Sequence, residues 1–229
     1  VRGPSSIFYA NGTSGGIINV VDNTIARTDF LESELRIGAE AQTVNSGNSG
    51  EFSYQNNLAG LNFSLAYKDS GFEKYEIPFG AIIHEEEKHE EEENTKYLAN
   101  SDYETKSQRF GVSKTGDWGY FGASVRGIES LYGIPFHGEE HEGEEEGEEH
   151  EEERIYVTTD SEVINLEGAY IFDDSVLKKI DYYYAGTEYS LMEQHAEEAG
   201  HEEEEEEEHH EEGPTTFKNE AKEYGMVVN

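Results

Sequence analysis

The sequence predicts an all-β chain, an antiparallel meander of about eight strands, and three observations carry that expectation. Apolar residues recur with period two through most of the chain, no helical period stands out, and short turn-forming connectors alternate with long ones. The clearest strand is Gly60 to Lys68, where Leu61, Phe63, Leu65 and Tyr67 alternate with Asn62, Ser64, Ala66 and Lys68. Successive strand side chains point to opposite faces, so one face is apolar and the other polar. Glu34 to Gln42 repeats the pattern through Leu35, Ile37, Ala39 and Ala41. Noisier alternation marks Gly50 to Asn56, Glu104 to Lys114, Trp118 to Leu131, Arg154 to Phe172, Lys179 to Leu191 and Phe217 to Val228.

The connectors organise these strands. Asn56 to Ala59, Thr115 to Asp117 and Asp173 to Val176 are tight, with Gly, Asn and Asp where turns use them. Between them lie long connectors over about 72–103, 132–153 and 192–216. In an up-and-down meander every second connection falls at the same end, so the long ones are expected to share a rim.

Charge separates the long connectors from the body. The chain of 229 residues carries a formal charge of -36, and the segments 84–93, 137–153 and 193–212 hold 30 Glu, one Lys and all nine His. So acidic a chain repels phosphate backbones, and nucleic acid is excluded as a partner. No apolar run is long enough for a membrane helix, which leaves strands as the only means of crossing a bilayer. With no Cys, thiolate metal sites and disulfides are also excluded.

Imidazole and carboxylate remain, a normal ligand set for zinc and other first-row divalent ions. The candidate ligands are His84, His89, His137, His141, His150, His195, His201, His209 and His210. His137 and His141 are four apart and His209 adjoins His210, within Glu-rich surroundings that concentrate cations near the chain. Such tracts suit several interchangeable sites of modest affinity, with protons competing for the imidazoles near pH 6.5. The blander reading of each tract alone is a solvated acidic loop. No nucleophile, general base or phosphate loop stands out, so no enzymatic step is expected.

Short turns at one end and long loops at the other suit a transmembrane barrel whose strands alternate between lipid and lumen. Trp118, Tyr120, Phe121 and Phe172 beside the turns would suit an interfacial girdle, and Tyr182 to Tyr184 would alternate between the two faces. A soluble antiparallel sandwich shows the same alternation. Tyr75-Glu-Ile-Pro-Phe79 and Tyr132-Gly-Ile-Pro-Phe136 form a weak repeat, each where a strand gives way to an acidic tract. Proline cannot donate to a sheet ladder and so ends pairing there.

The first 25 residues differ from the rest. Arg2-Gly3-Pro4-Ser5-Ser6, then Tyr9, then Gly15-Gly16-Ile17-Ile18-Asn19-Val20 resembles the end of the plug domain of TonB-dependent outer-membrane receptors. Val20-Val21-Asp22-Asn23, and Tyr132 to Pro135 opening onto His and acidic residues, are similar to the zinc-acquisition (ZnuD-type) members of that family. The resemblance implies that residues 1–29 end a plug and that 30–229 are the N-terminal part of a barrel of about 22 strands, with tracts 84–93, 137–153 and 193–212 extracellular. It implies a bacterial outer-membrane location, contact with lipid, zinc or a similar divalent ion as transported substrate, and energy from TonB and its inner-membrane complex. It also makes Arg2 and Asp22 plug-fold contacts. The chain departs from a whole receptor in lacking the upstream plug and TonB-contacting segment and in having Ala10 where Gly is common, and it reads as an internal fragment. Two alternatives stand beside this one: a TonB-dependent receptor for another substrate, such as a metal chelate or siderophore, and a secreted or periplasmic acidic metal-buffering β-protein.

Overall fold

The computed structural model describes residues 23–78, 96–135, 154–173, 176–196 and 214–229. Among them are eight strands: β1 (Glu34–Ala41), β2 (Asn48–Leu58), β3 (Leu61–Phe72), β4 (Tyr103–Gly116), β5 (Gly119–Gly133), β6 (Arg154–Ile171), β7 (Lys179–Ala196) and β8 (Thr215–Val228). Each pairs antiparallel with the next, in the order β1 to β8, within one sheet. Among the described residues β1 and β8 each have one neighbour, so the sheet is open. All eight expected strands are present, and no helix occurs among the described residues.

Pairing carries several strands beyond the limits of their alternation, because a paired neighbour satisfies backbone groups whatever the side chains are. β7 was expected to stop near Leu191 but runs to Ala196, opposite Arg154 on β6. Glu193, Gln194, His195 and Ala196, placed by sequence in the third acidic tract, are therefore strand residues. The first tight turn also shifts, to Ala59 and Gly60, both with positive φ (54° and 78°). Two left-handed residues give the hairpin twist that a two-residue connection requires, and Gly60 adopts it without steric cost.

Register gives the sheet two unlike faces. On one, Tyr54 of β2, Leu65 of β3, Phe110 of β4, Val125 of β5 and Ile164 of β6 form a single cross-strand row. The neighbouring row toward the short turns contains Phe63, Val112, Ala123, Leu166, Tyr184 and Tyr224. Ile37, Leu65, Phe110, Val125 and Ile164 are all exposed there. Toward the long connections the apolar band gives way to Glu162, Glu188 and Glu220, side by side on β6, β7 and β8. From Leu61 to Tyr67 the band extends ~20 Å along β3. Toward the short turns it is edged by aromatic pairs, Trp118 with Tyr170 (6.5 Å between ring centres), Tyr170 with Phe172 (4.9 Å) and Phe121 with Tyr182 (6.4 Å).

Tyr120 does not join that edge. Lying between Gly119 and Phe121, it points to the opposite face by the period of the strand, where it is buried against Ile25 and Ala169. Tyr183 likewise faces away from Tyr182 and Tyr184, its hydroxyl donating to Glu223 at 2.9 Å. That second face is the more polar of the two, with Gln55, Ser64, Gly111, Ser124 and Asn165 in one row, although Val157 and Ala169 of β6 are buried on it. It also carries the N-terminal segment.

Candidate functional site

The three long connections leave from the same end of the sheet. β3 ends at Phe72 opposite Tyr103, β5 at Gly133 opposite Tyr156, and β7 at Ala196 opposite Arg154. This follows from the order of the strands, since alternate connections of an antiparallel meander fall at alternate ends. Tracts 84–93 and 137–153 and the remainder of 193–212 lie outside the described residues, and with them His84, His89, His137, His141, His150, His201, His209 and His210. The backbone of His195 sits in β7 opposite Ile155. Among the described residues no three His, Asp or Glu side chains converge as a metal site.

The Tyr-x-Ile-Pro repeat uses the same device at two of the three departures. Ile77 N–H donates to Lys96 O at 2.8 Å and Ile134 N–H donates to Ile155 O at 3.0 Å. In each case isoleucine makes a hydrogen bond to the returning chain immediately before a proline, Pro78 or Pro135, that can make none. At the first departure Glu76 also bridges to Tyr97 and pairs with Lys96 at 2.9 Å, while Glu76 N–H donates to Val44 O of the β1–β2 connection at 2.9 Å. The chain on either side of residues 79–95 is thus tied into a narrow neck.

At the opposite end, residues 24–30 form a strap across the polar face. Thr24 O accepts from Ser64 Oγ (2.6 Å) and Ala26 O from Ser113 Oγ (2.7 Å). Phe30 N–H donates to Asn62 Oδ1 at 2.9 Å. Asp29 accepts from Asn57 (3.0 Å), Asn62 (3.1 Å) and the Thr115 hydroxyl (2.6 Å), so one carboxylate joins β2, β3 and β4. Those bonds, from Thr115 first and then Asn62 and Asn57, outweigh desolvation and hold its carboxyl below the usual range. Arg27 reaches β5 and β6: its guanidinium lies 5.8 Å from the centre of the Tyr120 ring and 3.3 Å from Glu167.

Glycine lets the strap approach so closely. A Cβ on Gly111 would stand 1.8 Å from Thr24 O, and one on Gly122 would stand 2.3 Å from Ile25 Cγ2. Residues 1–22, including the segment that resembles a plug end and the proposed contacts Arg2 and Asp22, lie outside the described residues. The strap was not singled out by sequence. Its signal was available in the small inward residues Ser64, Gly111, Ser113 and Gly122, which leave room beneath a crossing chain, but nothing in one sequence says that the room is occupied.

No protein-family model matches the chain, and no curated protein matches it.

Proposed function

We propose that the chain is part of a TonB-dependent outer-membrane receptor that takes up zinc or a similar divalent ion, captured by the His/Glu tracts at its outer rim. The observation that carries the reading is the shared end: all three histidine-bearing tracts interrupt connections that leave from one edge of a single meander. An exposed apolar band on one face, a polar opposite face crossed by a strap, and aromatic pairs beside the short turns support placing the sheet in a bilayer as part of a barrel wall. The resemblance of residues 1–25 to a plug end makes the strap the passage from plug to wall. TonB would then act on the plug, with no enzymatic step in the wall.

Metal capture needs only what the tracts contain. Neutral imidazoles and carboxylates exchange ligands readily, so an ion can pass between sites of modest affinity. The test is growth under zinc limitation of cells carrying the full-length gene, the same gene with His137, His141 and His150 replaced by Ala, or no gene. The intact gene is expected to confer growth, and the triple replacement to weaken it. Growth indifferent to the gene would reject the reading.

A further inference from the structure

Beyond the apolar band, on the same face, the sheet carries a groove that cation capture does not use. Lys106 of β4, Glu129 of β5, Asp160 of β6, Ser190 of β7 and Lys218 of β8 form one cross-strand row. Glu129 is four residues from Val125 and Asp160 four from Ile164, even intervals that put this row on the face of the band. With Leu131, Met192 and Thr216 of the next row toward the long connections, it lines a groove of about 530 Å³.

The order of charges along the row restricts what can lie there. The two carboxylates are neighbours, the lysines stand outside them, and Ser190 separates Asp160 from Lys218, leaving those two strand positions ~10 Å apart. A ligand with opposite charges of its own fits that interval, its cation toward Glu129 and Asp160 and its anion toward Lys218. Ser190 and Thr216 add hydroxyl donors beside the lysine. A purely anionic ligand would meet the two carboxylates, and a purely cationic one would meet the lysines. None of the described residues lining the groove is aromatic, so a quaternary ammonium finds no ring face there, whereas a primary ammonium brings N–H donors to the carboxylates.

Position names the molecule that carries these groups. Four residues along a strand, ~13 Å, separate Val125 and Ile164 from the groove, and the tilt of a barrel strand reduces that to ~10 Å of depth. With hydrocarbon against the band, the groove falls in the layer of lipid head groups. We propose that it seats the phosphoethanolamine head of a membrane lipid, the ammonium between Glu129 and Asp160, the phosphate on Lys218 and the acyl chains along the band. The site rests on reading the band as a lipid contact and uses neither the histidines nor a metal.

The test folds the whole chain into detergent micelles and adds phosphatidylethanolamine, phosphatidylcholine and phosphatidylglycerol of one acyl composition in equal amounts, with native mass spectrometry reading which lipid stays bound. Phosphatidylethanolamine is expected to exceed each of the others by roughly threefold, the scale of an exposed ion pair. Glu129→Gln/Asp160→Asn is expected to erase the preference over phosphatidylcholine, and Lys218→Gln to lower retention of all three lipids by weakening the phosphate contact. Far-UV circular dichroism matched to the parent chain identifies the folded variants. Equal retention of the three lipids by the parent overturns the proposal, as does a folded variant of either kind that retains them as the parent does. Folding into phosphatidylcholine vesicles reads the bilayer contact separately. A chain that enters those vesicles without preferring phosphatidylethanolamine loses this site alone, and one that enters no vesicle loses the bilayer reading with it.

Discussion

Thr115 Oγ1 donates to the Asp29 carboxylate at 2.6 Å, fastening a segment ahead of the first strand to the end of the fourth. Asn57 and Asn62 donate to the same carboxylate from β2 and β3. Because these bonds favour the charged form, the Asp29 carboxyl titrates below its ordinary value of 3.8. A lowered folded-state pKa contributes stability that is full above the unfolded value and lost as pH falls through the folded one. The strap is therefore expected to be firmly held at neutral pH and to loosen in acid below about pH 4. Hydrogen exchange at the Phe30 amide, corrected for intrinsic rate, reads this directly, and Asp29→Asn should flatten the acid response.

The close approach at Gly111 makes a second prediction. Gly111→Ala places a methyl group into Thr24 O, whereas Gly50→Ala on β2 meets nothing within 4 Å. Overpacking of this kind costs about 1–3 kcal/mol. Gly111→Ala should lower the unfolding midpoint and expose residues 24–30 to exchange, with Gly50→Ala causing little change in either. Equal effects from the two substitutions would show that the strap does not rest on β4.

The hairpin between β2 and β3 carries avoidable strain. Ala59 has φ 54°, a left-handed conformation that costs an ordinary L-residue about 1 kcal/mol. Ala59→Asn and Ala59→Gly should both stabilise the chain, since either residue accepts that conformation more readily. Denaturant titration measures the gain, and a loss of stability would mean that the Ala59 methyl makes a contact that outweighs the strain.

Placement of the apolar band in a bilayer predicts sensitivity to depth. Val125→Arg lies within the band and Glu129→Arg lies on the same face beyond it, toward the long connections. An arginine near the bilayer midplane of a strand protein costs about 2–4 kcal/mol, falling to about 0–1 near the interface. Folding into lipid vesicles should therefore suffer from the first and tolerate the second. Similar yields for both would count against the face as a lipid contact.

Much of the sheet was legible because two constraints act locally. Leu61, Phe63, Leu65 and Tyr67 announce a strand by period, and the prolines of the two Tyr-x-Ile-Pro phrases announce where it ends. The common end of the long connections follows from counting strands, with no need of coordinates. Strand limits were less legible: nothing in Glu193 or Gln194 marks them as paired, and their place depends on the length of β6. Tyr120 was read by its nearness to a turn when its parity decided its face. The strap depends on register, since Asn57, Asn62 and Thr115 meet at one carboxylate only after the β2–β3 and β3–β4 pairings are fixed. The histidines bear on metal capture through composition alone.

Beyond the row of Glu162 and Glu188, β6 and β7 continue to Arg154 and Ala196, a projection of ~26 Å along the strands. At physiological ionic strength charges are screened within about 8 Å. The roots of the second and third acidic tracts therefore stand electrically apart from the row of Glu162 and Glu188. If the chain takes up a cation as proposed, an ion gathered at the rim would begin its descent without feeling that row, so collection above and passage below could be altered by substitution one at a time.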